Sequence, residues 1–274
     1  MMTNRNALFA SFAILGMTLT SLNANAADKP SFAGGSQLDI CTTAGFPPLS
    51  YMDKATDARP VGIDIEIADA LSKAWGTNVN FITSGFDGLL PSLQAGRCKM
   101  VISGIYLTPK RREAYDAVPY MKSATVIVVR GADDAITKPD DLSGKLVALE
   151  AGTYFVEMLE NLNGELKKKG SSPVEVQTYD SQLNATQQVI GGRADATFTE
   201  EAEGRVRIVQ SSNAIKIAFT YPSEFNFGIY FQKNEKDAEA VKHALKELKS
   251  QGVFEQISKK YNLDTALFEV DYDS

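Results

Sequence analysis

Apolar positions along the chain switch between two periods. In PVGIDIEIADALSKAWG (60–76), Ile63, Ile67, Ala70, Leu71 and Ala74 recur at helical spacing and Gly76 closes the run, which predicts a helix. SQLDICTT (36–43) before it and NVNFITS (78–84) after it read as strands, with FPPLSYMD (46–53) as a loop and a short extended segment between. FDGLLPSLQAGR predicts a second helix ending at Gly96, and CKMVISGIYL (98–107) a third strand. Strand, helix, strand, helix, strand argues for a parallel sheet covered by helices.

After the apolar extended run SATVIVVRG (123–131), the cycle restarts. DDLSGKLVALEAG reads as turn plus strand, TYFVEMLENLNGELKKKG as helix, VEVQTY as strand, LNATQQVIGG as helix and ADATFT as strand. FNFGIYFQK (225–233) is extended again, and two helices finish the chain. The pattern predicts two α/β lobes joined by the two extended runs, with the last segment returning to the first lobe. Ligands in such sheets sit beyond the carboxyl ends of strands. The cleft should therefore be lined by Phe46, Phe86, Gly104 to Arg111, Gly152 to Tyr154, and Thr199 to Glu203.

The first residues change the picture of location. Arg5, an apolar core from Ala7 to about Leu19, and Ala24-Asn25-Ala26 read as a secretory signal peptide cleaved after Ala26. The apolar core is too short for a membrane span. With Arg5 removed, the net charge moves from −6 to −7, a poor basis for binding nucleic acid or anionic lipid. The remaining chain is long enough for one large or two medium domains.

Few side chains offer reaction chemistry. Cys41 and Cys98 are the only cysteines; in an oxidising compartment they read equally as a disulfide or as two separate buried thiols. With these and a single histidine, His243, a zinc site is not expected. His243 falls off the buried face marked by Val241, Leu245 and Leu248, and so reads as solvated.

One stretch poses a question of charge. In VISGIYLTPKRREAYDAVPY (101–120), Thr108 is a natural N-cap and Pro109 suits the first helical position, so Lys110, Arg111 and Arg112 crowd a helix start. That end already carries partial positive charge, and cations there are disfavoured. Either all three point into water or one of them meets an anion in a cleft.

The segments FPPLSYMD, VGIDIEIADALSKAWG, FDGLLPSLQAGR, ISGIYLTPKRREAYDAVPY, LSGKLVALEAGT, GGRADATFTE and FGIYFQKN occur in this order over essentially the whole mature chain. Together the set resembles the periplasmic solute-binding proteins of polar amino-acid ABC transporters. The resemblance implies an α/β, two-lobed type II periplasmic-binding fold, with lobe 1 over 27–124, lobe 2 over 125–224, and a return to lobe 1 over 225–274. It implies a monomeric periplasmic binder that closes on an amino-acid-like zwitterion and serves an ABC permease in the inner membrane, without cofactor, metal or catalysis.

The resemblance also carries site residues. Arg111, in the T-x-x-R turn after Thr108, takes the place that binds the ligand's α-carboxylate, which would supply the missing anion. Thr153 and the following helix start would bring N–H groups to the same carboxylate. Glu200, in Asp195-Ala196-Thr197-Phe198-Thr199-Glu200, stands where an aspartate usually meets the α-ammonium. Phe46 and Phe86 match positions that pack rings on the ligand, Gly104 lies in the matching cleft loop, and Tyr106 and Tyr154 depart from the smaller residues usual there and should narrow the pocket.

A second reading places an enzyme on the same fold. CTT at 41–43, GRC at 96–98 and Glu203 look like parts of the pattern of secreted cyclohexadienyl dehydratases, where a buried acid could protonate a departing hydroxyl. Against this, Glu203 also reads as an acidic residue on the surface of a helix.

Overall fold

The computed structural model describes residues 29–273, apart from the side chains of residues 223 and 224. The expected signal peptide and its cleavage site lie outside the described residues. The first half contains β1 (Gln37–Thr42), the hairpin β2 (Gly45–Phe46) and β3 (Ser50–Tyr51), α1 (Ile63–Ala74), β4 (Asn78–Thr83), α2 (Leu89–Gln94), β5 (Met100–Val101) and α3 (Pro109–Ala114). β6 (Asp116–Arg130) then leads into β7 (Leu146–Glu150), α4 (Phe155–Lys168), β8 (Glu175–Tyr179), α5 (Gln182–Ile190), β9 (Ala196–Glu200) and α6 (Glu201–Gln210). β10 (Ile215–Phe231), α7 (Glu235–Ser250) and α8 (Val253–Tyr261) complete it.

The predicted alternation of strands and helices is present, and the two extended runs are longer than their apolar stretches suggested. β6 and β10 pair antiparallel along most of their length at the centre of one sheet, ordered β4-β1-β5-β10-β6-β9-β7-β8. The end of β10 pairs with β5 through Tyr230 and Phe231, while Thr125–Val129 of β6 pairs with β9. Each long strand thus begins in one half of the molecule and ends in the other. Their ladder slips between Thr220 and Glu224, around Pro222, which has no N–H to contribute.

β5 is shorter than CKMVISGIYL predicted. Beyond Val101 the chain leaves the ladder because its polar groups find other partners: the Ser103 hydroxyl accepts from the Thr43 N–H at 2.9 Å, and the Gly104 N–H donates to the Tyr120 hydroxyl at 3.2 Å. Gly104 sits at φ 56, a left-handed conformation that ends a strand.

Helix burial follows the predicted face of α1 at Ile63, Ile67 and Leu71, whereas Ala70 is half-buried and Ala74, at the last turn, is exposed. Ile63, Ile67 and Leu71 of α1 are buried with Leu38 and Ile40 of β1, and with Val241 and Leu245 of α7. Each such side chain contributes about 1.5–3 kcal/mol of transfer free energy. Cys41 and Cys98 form a disulfide with their Cα atoms 5.7 Å apart, fastening the end of β1 to the approach to β5. His243 is exposed on α7, as its position off the apolar face predicted. Among the described residues, no helix is long and apolar enough to cross a membrane.

Candidate ligand-binding cleft

The cationic helix start resolves into one inward arginine and two outward cations. Lys110 and Arg112 are exposed, whereas Arg111 is half-buried. The Thr108 hydroxyl caps α3 by accepting from the Arg111 N–H at 3.3 Å. Arg111 then folds back across the loop: Nη1 donates to the Tyr106 carbonyl at 2.9 Å, and Nη2 donates to the Gly152 carbonyl, in the other half of the molecule, at 3.1 Å. Burial pulls its pKa below the ordinary arginine value, while the Tyr230 hydroxyl, Glu157 and Glu200 push it back up.

The first-lobe wall around this cation is aromatic. The Arg111 guanidinium carbon lies 5.9 Å from the centre of the Phe86 ring, within cation–π range. Phe46 is buried against Gly104, where a Cβ would stand 3.2 Å from its Cδ1 and closer still to Cε1. Glycine is needed there for both its φ and its lack of a side chain. Tyr106 is buried and stacked between Phe225 at 4.8 Å and Phe227 at 5.2 Å, with Tyr154 edge-on at 6.5 Å. The two tyrosines therefore meet across the cleft, and the Tyr106 hydroxyl pairs with the Thr125 hydroxyl at 3.2 Å.

The second-lobe wall is built from the carboxyl ends of β7 and β9 and the starts of α4 and α6. Gly152 has φ 80, and a Cβ on it would stand 2.8 Å from the Asp87 Cα. Only glycine lets the two halves approach this closely. The Thr153 hydroxyl donates to the Glu150 carbonyl at 2.8 Å, tightening the turn before α4, and Tyr154 is the N-cap residue. A cavity of about 590 Å³ between α3 and this turn has Arg111, Gly152, Thr153 and Tyr154 in its wall.

Glu200 ends β9 and is buried. Burial raises its pKa well above the ordinary carboxylate value, and Glu203 and Glu150 add to the rise. Glu150 ends β7, in a strand parallel to β9; burial first, then Glu203, push its pKa up to about 8. Glu203 is fully buried, not the surface acid its helix position suggested. Its Oε2 accepts from the Thr199 hydroxyl at 2.6 Å, and its Oε1 accepts from Arg207 Nη2 at 2.9 Å. Burial raises Glu203 against the downward pull of Arg207 and Thr199.

Of the positions expected in the cleft, Arg111 and Phe86 lie together, Phe46 lies on Gly104, and Tyr106 meets Tyr154. Glu200 is close enough to raise the pKa of the Tyr106 hydroxyl. Thr153 faces its own turn. Sequence reasoning missed Glu150, Arg207 and Phe225. A carboxylate closing the apolar strand KLVALE was a usable signal for Glu150, whereas Arg207, four residues after Glu203, reads as half of an ordinary surface pair.

Comparison with known proteins agrees with the two-lobed fold. Residues 38–264 match the model of bacterial extracellular solute-binding proteins, family 3. The chain is 27% identical over 220 residues to the L-cystine-binding protein TcyJ of Escherichia coli (strain K12), covering 79% of each chain. It resembles the solved structure of an ancestral arginine-binding protein bound to arginine, with a TM-score of 0.76, 31% identity, and coverage of 83% of this chain and 98% of that one. It also resembles the ancestral amino acid-binding protein AncCDT-1, a precursor of cyclohexadienyl dehydratase, with a TM-score of 0.72, 26% identity, and coverage of 82% and 95%.

Proposed function

The chain belongs to the bacterial extracellular solute-binding proteins of family 3, and from that premise we propose that it binds an amino-acid zwitterion between its lobes and delivers it to an ABC permease from the periplasm. The observation that carries this reading is the opposition of Arg111 on the first lobe to Glu200 on the second. One offers two planar donors for a carboxylate. The other is a buried carboxylate whose raised pKa marks the lack of a compensating cation, which an α-ammonium would supply.

Lobe boundaries at 124/125 and 224/225 are supported by the start of the β6–β9 pairing at Thr125 and by the slip in the β6–β10 ladder between Thr220 and Glu224, and closure is a hinge at these strands. Glu150 extends the reading to the ligand's side chain. Glu203 has Arg207, but a single ammonium cannot neutralise both Glu200 and Glu150. A cationic side chain would, and the aromatic wall suits it. Relatives described as arginine-binding proteins support this preference.

Binding rather than turnover is favoured by the state of Glu203. Its two oxygens are taken by Arg207 and Thr199, so it is not presented to a substrate as a free acid. A thermal-shift panel of L-arginine, L-lysine, L-glutamine, L-cystine, L-glutamate and prephenate tests the proposal. At a hundredfold excess over Kd, a bound amino acid adds about 2.7 kcal/mol and raises Tm by a few degrees. A panel without a shift, or consumption of prephenate, overturns it.

A further inference from the structure

Two guanidinium groups cross the cleft, one from each lobe. Arg111 reaches from the first lobe to the Gly152 carbonyl, and Arg207 reaches back from α6 in the second lobe to the Gly45 carbonyl, with Nη2 donating at 2.7 Å. The second crossing is the more firmly mounted. Arg207 has 10% and Glu203 0% of its side chain exposed, and Arg207 Nε and Nη2 both donate to Glu203 Oε1, at 3.1 and 2.9 Å. Nη1 is placed to donate to Gln210 Oε1 at 3.3 Å, and Thr199 holds the other oxygen of Glu203. Gly45 immediately precedes Phe46, the ring that lies on Gly104.

We propose that Arg207 is a clasp between the lobes, held on its own lobe by Glu203 and fastened to the Gly45 carbonyl only when the cleft is closed. It positions the hairpin that carries Phe46 and sets the strength of closure for every ligand alike. This rests on the reading of the protein as a binder that closes. A bond made in the closed form and absent from the open one shifts the population toward closure whatever occupies the cleft. Because Glu203 already fixes the guanidinium, closing costs little side-chain freedom, which is what distinguishes a clasp from a surface contact. The buried pair is thereby explained: its location within one helix adds little to stability over an apolar pair, but it aims a forked donor at the opposite lobe.

The test uses two variants of the mature protein. Arg207→Lys keeps a cation beside Glu203 but loses the fork, and Glu203→Gln combined with Arg207→Gln removes both charges so that neither is left buried alone. Calorimetry and stopped-flow dissociation with L-arginine, L-lysine, L-glutamine and L-cystine should show every ligand that binds weakened by the same factor, about tenfold. The ranking should be unchanged and the loss carried by faster dissociation. Small-angle scattering without ligand should show both variants more open than the wild type. A loss differing more than threefold between ligands would make Arg207 a ligand contact and overturn the clasp, as would unchanged affinities in both variants. If the wild type binds none of the four, the functional reading fails, and scattering alone decides: expanded variants support the clasp, identical curves overturn it.

Discussion

The first-lobe wall of the cleft sets rings around one cation, while the second-lobe wall sets three carboxylates around one. On the first, the Phe86 ring faces Arg111 and Phe46 and Tyr106 line the same wall, and the donors of Arg111 rest on two backbone carbonyls. On the second, Arg207 is committed to Glu203, while Glu150 and Glu200 stand with raised pKa values. The walls differ in what they lack: an anion on one, cations on the other. A zwitterion lying between them answers both, and the surplus carboxylate points to a ligand with a positive side chain. Two lobes with equal and balanced charge would close as well but select little.

Removing the first wall's charge should have the largest effect. Arg111→Ala is expected to weaken ligand binding by about 30-fold to several thousandfold in calorimetry, with Lys110→Ala and Arg112→Ala near wild type because both side chains are exposed. Equal losses in all three would replace a single clamp by general electrostatics. On the opposite wall, Glu200→Gln should cost about tenfold to a hundredfold, and Glu200→Asp less, since it keeps the charge and shortens the reach.

Glu150 provides a pH signature that the first wall lacks. The free protein holds a proton on this carboxyl up to a pH of about 8, and a cation favours the ionised form, so binding must expel that proton below pH 8. Affinity for L-arginine should therefore fall as the pH is lowered from 8 to 6, by at most about tenfold per unit. Glu150→Gln should reduce the slope, leaving the part that belongs to Glu200, whose pKa is raised as well. A slope unchanged in the variant would assign the proton elsewhere.

A separate effect, on stability and not on binding, lies beneath the first wall. Asp64 is fully buried, accepts from the Tyr120 hydroxyl at 2.6 Å, and has its pKa pushed up to about 7 by burial. Its native form keeps the proton while the unfolded chain loses it near pH 4. Stability should thus decline as the pH rises between those values, by at most about 1.4 kcal/mol per unit. Asp64→Asn, an isosteric neutral replacement, should melt at a temperature that changes less over pH 5 to 7 than the wild type does. Parallel melting curves would show that Asp64 is ionised throughout.

The two walls also differ in how far they could be read from sequence. Thr108, Pro109 and the three cations announce a helix start with a charge problem, and local capping chemistry turns Arg111 inward. The turn at Gly152 and the strand end at Glu200 were likewise marked by glycine and by apolar runs. What remained hidden depends on contacts between distant segments. Arg207 meets Gly45 across 162 positions of the chain, and Phe225 stacks on Tyr106 because β10 crosses from one lobe to the other. Glu203 looked solvent-facing on its helix, and in the fold it is buried with Thr199 and Arg207 on its two oxygens. Periodicity reports one helix face at a time and cannot tell which second body covers it.

The opposition of Arg111 and Glu200 is tested most directly by changing the ligand instead of the protein. The tightest-binding amino acid of the panel, its α-amide and its Nα-acetyl derivative should be compared by titration calorimetry on the wild-type protein. The amide removes the carboxylate owed to Arg111, and the acetyl group removes the ammonium owed to Glu200. Both derivatives should bind at least about 30-fold more weakly than the parent. A derivative that binds as tightly as the parent would contradict the opposed-wall account.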